Sequence, residues 1–184
     1  MTVDFTYNGS TNAPTNAGSY AVIGTVDDPN YQGSATNTLV IGKATGTVIV
    51  GNLLQVYDGT VKRATAVTAP RGLRVDFTYD GSANAPTNVG RYTVIATVDD
   101  PNYQGSATNT LLIVLQLTAP TWDGNGQFQF TFDTAFGVNY TVEVSTNLTN
   151  WTPALSFQGV NGPLTILDSN ASSLGQRFYR VCSP

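Results

Sequence analysis

The side chains that usually carry acid–base chemistry are scarce in this chain, and its carboxylates stand in adjacent pairs. The sequence contains no histidine, so the commonest general base and zinc ligand is absent. Aspartates pair at Asp27-Asp28 and again at Asp99-Asp100. Neighbours on a strand point to opposite faces, so neither pair can work as a facing acid and base. The pairs suit either solvated turns, which we expect, or calcium sites completed by carbonyls of nearby asparagines.

The cysteine count and the charge exclude further classes of function. The single cysteine, Cys182, rules out an intrachain disulfide and a cysteine-built metal site, and we expect a half-buried strand residue there. A net charge of −4 without a basic run argues against nucleic-acid binding. No apolar run approaches the ~20 residues of a membrane helix, so we expect no membrane insertion. The sequence therefore predicts a protein that is not an enzyme, with no cofactor and no catalytic residues.

A 72-residue repeat decides where these side chains lie. Residues 3–41 return almost unchanged at 75–113, and 32 of the 40 positions aligned from Thr2/Arg74 to Ile41/Ile113 are identical. A further 30 residues, 44–73, complete the period ahead of the second copy. The predicted modules are a partial repeat at 1–43, a complete repeat at 44–115 and a C-terminal domain at 116–184.

Alternation of apolar and polar residues predicts strands along the whole chain. Val75–Tyr79 alternates and stops at Asp80-Gly81, a turn signal that favours positive φ. No window shows a helical period. The predicted strands are 47–50, 53–57, 61–67, 75–79, 92–98, 108–114, 127–132, 140–145, 151–157, 164–167 and 176–181. Short strands at this spacing predict an all-β fold of tandem small immunoglobulin-like antiparallel β-sandwich modules.

Two pairs of tyrosines occupy equivalent places in the two copies. Tyr20 and Tyr92 each open a strand after a loop that contains proline, which resembles the tyrosine corner of immunoglobulin-like domains. A plain strand tyrosine is the alternative. Tyr31 and Tyr103 each follow a Pro-Asn turn, and we expect these rings to fold over and shield the ends of their modules.

Four short segments of the complete repeat carry a family resemblance. The turn Tyr57-Asp58-Gly59, the strand end Phe77–Gly81, the strand Gly90–Val94 and the turn Asp100–Tyr103 together resemble the YDG/MBG-type repeats of large bacterial surface and secreted proteins. The resemblance covers residues 44–115 as a whole module and residues 1–43 as the second part of such a module. It implies an extended stalk or adhesin scaffold, extracellular or at the bacterial cell surface. It implies no catalytic residues.

The C-terminal domain has a different pattern. The run Tyr140–Trp151 with the late strand Arg177–Val181 is similar to fibronectin type III-like domains of secreted bacterial proteins. We expect Trp151 to pack in the core, and a sugar-stacking platform is the alternative.

The function predicted from the sequence is that of a non-catalytic structural protein, a stalk or fibre subunit. An adhesin or carbohydrate-binding module, with a surface glycan or protein partner, is the alternative. Residues 44–73 can complete only one set of strands, so one half-module keeps an uncovered apolar face. The candidate residues for that face are Val3, Phe5, Val22 and Val26. Two explanations stay open: a longer repeat array, or head-to-tail self-association by donor-strand complementation, which would build an open filament.

Overall fold

The computed structural model describes residues 1–183, and the regular elements in this range are strands apart from one short 3-10 turn, Ala171–Ser173. The all-β prediction is confirmed. The strands of the first repeat are β1 (Thr2–Tyr7), β2 (Gly18–Asp27) and β3 (Ser34–Ile41). Those of the second repeat are β4 (Ala44–Thr45), β5 (Thr47–Gly51), β6 (Leu54–Val56), β7 (Thr65–Ala69), β8 (Val75–Tyr79), β9 (Gly90–Val98), β10 (Tyr103–Gln104) and β11 (Ser106–Val114). Six further strands are β12 (Thr118–Trp122), β13 (Phe128–Thr134), β14 (Asn139–Ser145), β15 (Thr152–Gln158), β16 (Gly162–Asp168) and β17 (Phe178–Cys182).

The first repeat is one antiparallel sheet of three strands in the order β1-β2-β3. Val3 stands opposite Val26 and Phe5 opposite Gly24. Since side chains alternate along a strand, Val3 and Phe5 of β1 share one face with Val22 and Val26 of β2. Strand β3 lies at an edge of this sheet.

The second repeat has three sheets: β6-β11-β9-β8, the pair β5-β7 and the pair β10-β4. Val48, Ala96 and Val98 form a buried cluster, with Val50, Ala66, Leu73, Val75, Phe77, Tyr103 and Ala107 packed against it. Strand β6 pairs with β11, and β4 with β10, in parallel. The sheets of the second repeat are therefore not purely antiparallel, because residues 44–73 contribute two strands, β4 and β6, that pair in parallel with β10 and β11.

One predicted strand of the second repeat begins in the wrong place. A strand was predicted at 61–67, and the observed strand is Thr65–Ala69. Lys62 is buried and its Nζ lies 2.7 Å from the Asp58 carboxylate, while its backbone N–H donates to the Pro86 carbonyl. These contacts hold residues 61–64 outside the sheet ladder. The same ion pair, with hydrogen bonds from Thr60, lowers the pKa of Asp58 below its usual range.

The last six strands form two sheets of three, β12-β13-β16 and β15-β14-β17. Their buried cluster is largely aromatic: Phe130, Phe132, Tyr140, Val142 and Ile166. The rings of Phe132 and Tyr140 meet edge to face with centroids 5.7 Å apart, an arrangement that aromatic pairs favour.

The chain divides into two compact units. One comprises 1–50, 66–77 and 95–107, and the other comprises 51–65, 78–94 and the chain from Thr108 onward. Strands β8, β9 and β11 contribute residues to both units, so these units are not the three predicted modules. The module boundaries after residues 43 and 115 stay a prediction.

Candidate interaction surface

The first aspartate pair stands at the end of β2, with Asp27 as its last residue, and the carboxylates of the second pair, Asp99 and Asp100, contact groups of their own repeat. The Asp100 carboxylate accepts hydrogen bonds from the backbone N–H groups of Asn102, at 2.7 Å, and Tyr103, at 3.0 Å. Asp99 Oδ2 lies 3.2 Å from Arg74 Nε. Within residues 1–183, no group of three or more His, Cys, Asp or Glu side chains could hold a metal ion.

In the part of the chain that the structure describes, no helix is long and apolar enough to cross a bilayer.

The tyrosine corners are confirmed in both repeats. The Tyr20 hydroxyl donates to the Asn16 carbonyl oxygen at 2.9 Å, and the Tyr92 hydroxyl donates to the Asn88 carbonyl oxygen at 2.9 Å. Each bond ties the start of a strand to the loop before it. Burial, followed by the nearby carboxylate of Asp80, raises the pKa of Tyr92.

The four predicted interface residues come together on one face of the first sheet. Val3, Phe5, Val22 and Val26 all line an open groove of about 480 Å³. Val3 is 46% exposed and Phe5 is 52% exposed. Gly24 lies in the floor of the groove, and a methyl group there would come within 3.1 Å of the Phe5 ring. The sequence reasoning missed Gly24, although its place midway between Val22 and Val26 puts it on the same face of β2.

The turn that follows β9 carries a contact between the two repeats that the sequence did not predict. Asn102 Oδ1 accepts a hydrogen bond from the backbone N–H of Ala17 at 2.8 Å, and its Nδ2 donates to Asn16 Oδ1 at 3.1 Å. Lys43 Nζ donates to the Asp100 carbonyl oxygen at 2.7 Å. The corner loop of the first repeat is thus joined to the Asp-Pro-Asn-Tyr turn of the second. The copied turn was a visible signal, but a turn signature does not say what its side chains will bind.

The two turn tyrosines have different environments. Tyr103 packs against the buried cluster of the second repeat, as predicted. Tyr31, its equivalent, is 68% exposed, so the predicted shielding is wrong for the first repeat. The reason is that residues 44–73 contribute side chains to the cluster against which Tyr103 packs, whereas Tyr31 lies in the loop between β2 and β3 of a sheet that has no such cover.

A charged cluster lies beside the aromatic core of the last six strands. Arg177 Nε and Asp168 Oδ2 are 2.6 Å apart, although the N–H is not directed at the oxygen, so the contact is an ion pair and not a hydrogen bond. The Tyr179 hydroxyl donates to the same Asp168 oxygen at 3.0 Å. Burial of the ring and then this carboxylate raise the pKa of Tyr179 to about 12.

Two expectations for the C-terminal residues need correction. Trp151 is half-buried and lies at the surface with the Arg180 guanidinium 4.5 Å from its ring centroid, because its indole N–H donates to the Leu148 carbonyl in a local turn. Cys182 is exposed, not half-buried. Desolvation and then the Glu143 carboxylate raise the pKa of its thiol, which disfavours the reactive thiolate.

Comparison with known families agrees with the repeat. A family model described as MBG domain matches residues 1–45 and 46–117, which together are more than half of the chain. The chain belongs to the MBG domain family. The first MBG match contains the exposed groove, and the second contains the buried cluster of the second repeat. No curated protein and no solved structure matches the chain.

Proposed function

We propose that this chain is a non-catalytic structural protein of the bacterial cell exterior, a stalk or fibre subunit that holds its repeats in a fixed tandem arrangement. The observation that carries this proposal is the junction at Asn102, where one side chain both accepts from and donates to the corner loop of the preceding repeat. A spacer needs such contacts between successive modules, since modules joined only by a flexible linker would move independently.

The same junction could continue along an array. Asn30 is the equivalent of Asn102 in the first repeat, and its exposed turn has the same Asp-Pro-Asn-Tyr sequence. The Asn30 backbone N–H donates to the Asp28 carboxylate at 2.8 Å, as Asn102 does to Asp100. The Asn30 turn thus shares one hydrogen bond with the turn that receives the corner loop, and in an array its side chain would take the place of Asn102. Membership of the MBG family and the absence of histidine support a structural role over a catalytic one.

We further propose that 116–184 is a fibronectin type III-like domain. Of its six strands, the first, second and fifth form one sheet, and the third, fourth and sixth form the other. This division resembles the two sheets of immunoglobulin-like sandwiches. Many cell-surface domains share this sandwich architecture, which agrees with a structural role at the cell exterior.

The test measures whether the two repeats keep one fixed distance. Spin labels are placed at Thr38→Cys and Thr97→Cys, both exposed positions, in a Cys182→Ser background. Pulsed electron–electron double resonance should give one narrow distribution of distances between the two spin labels. Asn102→Ala should broaden it, because the junction loses both side-chain hydrogen bonds.

Asn30→Ala is the matched control, since it removes the same side chain from the equivalent turn without touching the junction. It should leave the distribution narrow. A broad distribution in the parent protein, or equal effects of the two substitutions, would overturn the spacer proposal. Strong binding to an immobilised glycan would instead favour the adhesin alternative.

A further inference from the structure

The groove of the first repeat is the same surface that the second repeat covers. With the 72-residue offset, Val3, Phe5, Gly24 and Val26 are equivalent to Val75, Phe77, Ala96 and Val98. In the second repeat Ala96 is fully buried, Val98 is 8% exposed and Phe77 is half-buried, whereas Phe5, the equivalent of Phe77, is 52% exposed. The two repeats, whose sequences are nearly identical, therefore present the same face in two states: covered in the second repeat and open in the first.

The segment that covers the second face is known from the structure. Val48 forms the buried cluster with Ala96 and Val98, and Val50, Ala66 and Leu73, which also come from residues 44–73, pack against it. Strands β5 and β7, which carry Val48, Val50 and Ala66, pair as a two-stranded sheet. The occupant of this type of face is thus a short β segment with small and β-branched apolar side chains.

Backbone pairing accompanies this packing at two places. The Gly46 N–H donates to the Gln104 carbonyl at 2.8 Å, and the Leu112 N–H donates to the Leu53 carbonyl at 2.7 Å. Val40 is the equivalent of Leu112 and is 70% exposed on β3, the edge strand of the first sheet. The first repeat therefore offers an apolar face together with an edge that can accept a strand.

Close approach is also allowed in the first repeat. In the second repeat, a methyl group on Gly105 would overlap the carbonyl oxygen of Gly46, which belongs to the covering segment. The segment can therefore lie this close only because residue 105 is a glycine. The equivalent residue, Gly33, has only Val26 within reach of such a methyl group, at 3.6 Å. The contacts within the first repeat would tolerate a side chain at Gly33. With glycine at this position, a covering segment could approach the Gly33 backbone as closely as Gly46 approaches Gly105.

We propose that the β1–β3 face is a docking site for a β segment of the 44–73 type, supplied by an adjoining repeat of the same polypeptide array. The segment's equivalents of Val48, Val50 and Ala66 would fill the groove over Phe5 and Gly24, and its equivalent of Leu53 would pair with Val40. This inference goes beyond the proposed spacer function, because it concerns completion of one sheet and not the junction between repeats.

The number of covering segments, compared with the number of faces to be covered, favours an adjoining repeat over a second copy of the chain as the source of the segment. The described residues, 1–183, hold two acceptor faces and one segment of the 44–73 type, which already covers the second face. Exchange between copies would uncover one face for each face that it covers, so it would complete no additional sandwich. A segment joined directly ahead of the first repeat also has the entropic advantage of an intramolecular contact.

The experiment adds that segment to the full chain. A copy of residues 44–72 is fused ahead of Met1, which stands in the register of Leu73. Hydrogen exchange followed by NMR should show the Val40 amide at least ~10-fold slower in the fusion than in the unmodified chain, as expected when an exposed edge becomes paired. The unmodified chain should be monomeric by light scattering.

The control fusion carries aspartate at the added copy's equivalents of Val48 and Val50, which would place charge against the groove. It should leave Val40 exchange at the rate of the unmodified chain, while Leu112 serves as an internal reference for folding. An unmodified chain that dimerises or forms filaments with Val40 already protected would overturn the proposal in favour of a second copy. Equal Val40 exchange in the unmodified chain and the intact fusion would overturn it as well.

Discussion

Truncation of the two equivalent turn tyrosines should destabilise the protein very unequally. Tyr103 is partly buried against the cluster that includes Val98, whereas Tyr31 is 68% exposed. A buried tyrosine removes ~150–250 Å² from water, so a partly buried ring removes roughly 100 Å². At ~25 cal/mol per Å² the Tyr103→Ala change should lower the free energy of unfolding by ~2–3 kcal/mol, with any remaining cavity adding to this.

Tyr31→Ala should cost no more than ~0.5 kcal/mol, because surface substitutions rarely exceed that value. The two variants remove the same atoms from the same local sequence, so their difference isolates the covering segment. The assay is equilibrium urea unfolding followed by far-UV circular dichroism. If Tyr103→Ala shifts the midpoint no more than Tyr31→Ala, the ring does not contribute to the core and the reasoning is refuted. In the fusion described above, Tyr31→Ala should become as costly as Tyr103→Ala.

Two further predictions concern ions and protons. If the paired aspartates form ordinary turns, millimolar calcium or a chelator should leave the thermal transition unchanged; binding at 100 times Kd would add ~2.7 kcal/mol of stability, and a clear rise in Tm with calcium would contradict the prediction. The Tyr179 hydroxyl has a pKa of about 12 when folded against 10.0 as its ordinary value, so folding favours the neutral form. Its contribution is complete below pH 10 and is lost as the pH rises from 10 to 12. Tyr179→Phe should therefore make the loss of stability over this interval less steep, as measured by urea midpoints, and an unchanged slope would show that Tyr179 is not the group responsible.

Local chemistry made much of the architecture predictable. The predicted strand Val75–Tyr79 coincides with β8, since alternation and the Asp80-Gly81 turn are both local signals, and Asp80 has a φ of 47°. The tyrosine corners could be anticipated because each hydroxyl reaches a carbonyl only four residues upstream. The apolar face of the first repeat followed from its period of two and the offset of the repeat.

Contacts between distant residues escaped prediction for a physical reason. The hydrogen bond from the Ala17 N–H to Asn102 Oδ1 joins residues that are 85 positions apart. Nothing in the local sequence of the Asn102 turn or of the corner loop indicates that the two will meet. The parallel pairing of β6 with β11 was likewise hidden, because β6 is only three residues long. The exposure of Tyr31 was missed because an identical turn was assumed to have identical surroundings, whereas burial depends on the segment packed against it.

The most direct test of the account compares two amides in one unmodified protein. Val40 and Leu112 occupy equivalent places in the two repeats. The Leu112 N–H donates to the Leu53 carbonyl oxygen at 2.7 Å, whereas Val40 lies on β3, an edge strand of the first sheet. Native-state hydrogen exchange should show Leu112 strongly protected and Val40 exchanging rapidly, in a monomeric sample. Equal protection of the two amides would contradict the claim that the first MBG repeat presents an open face and edge.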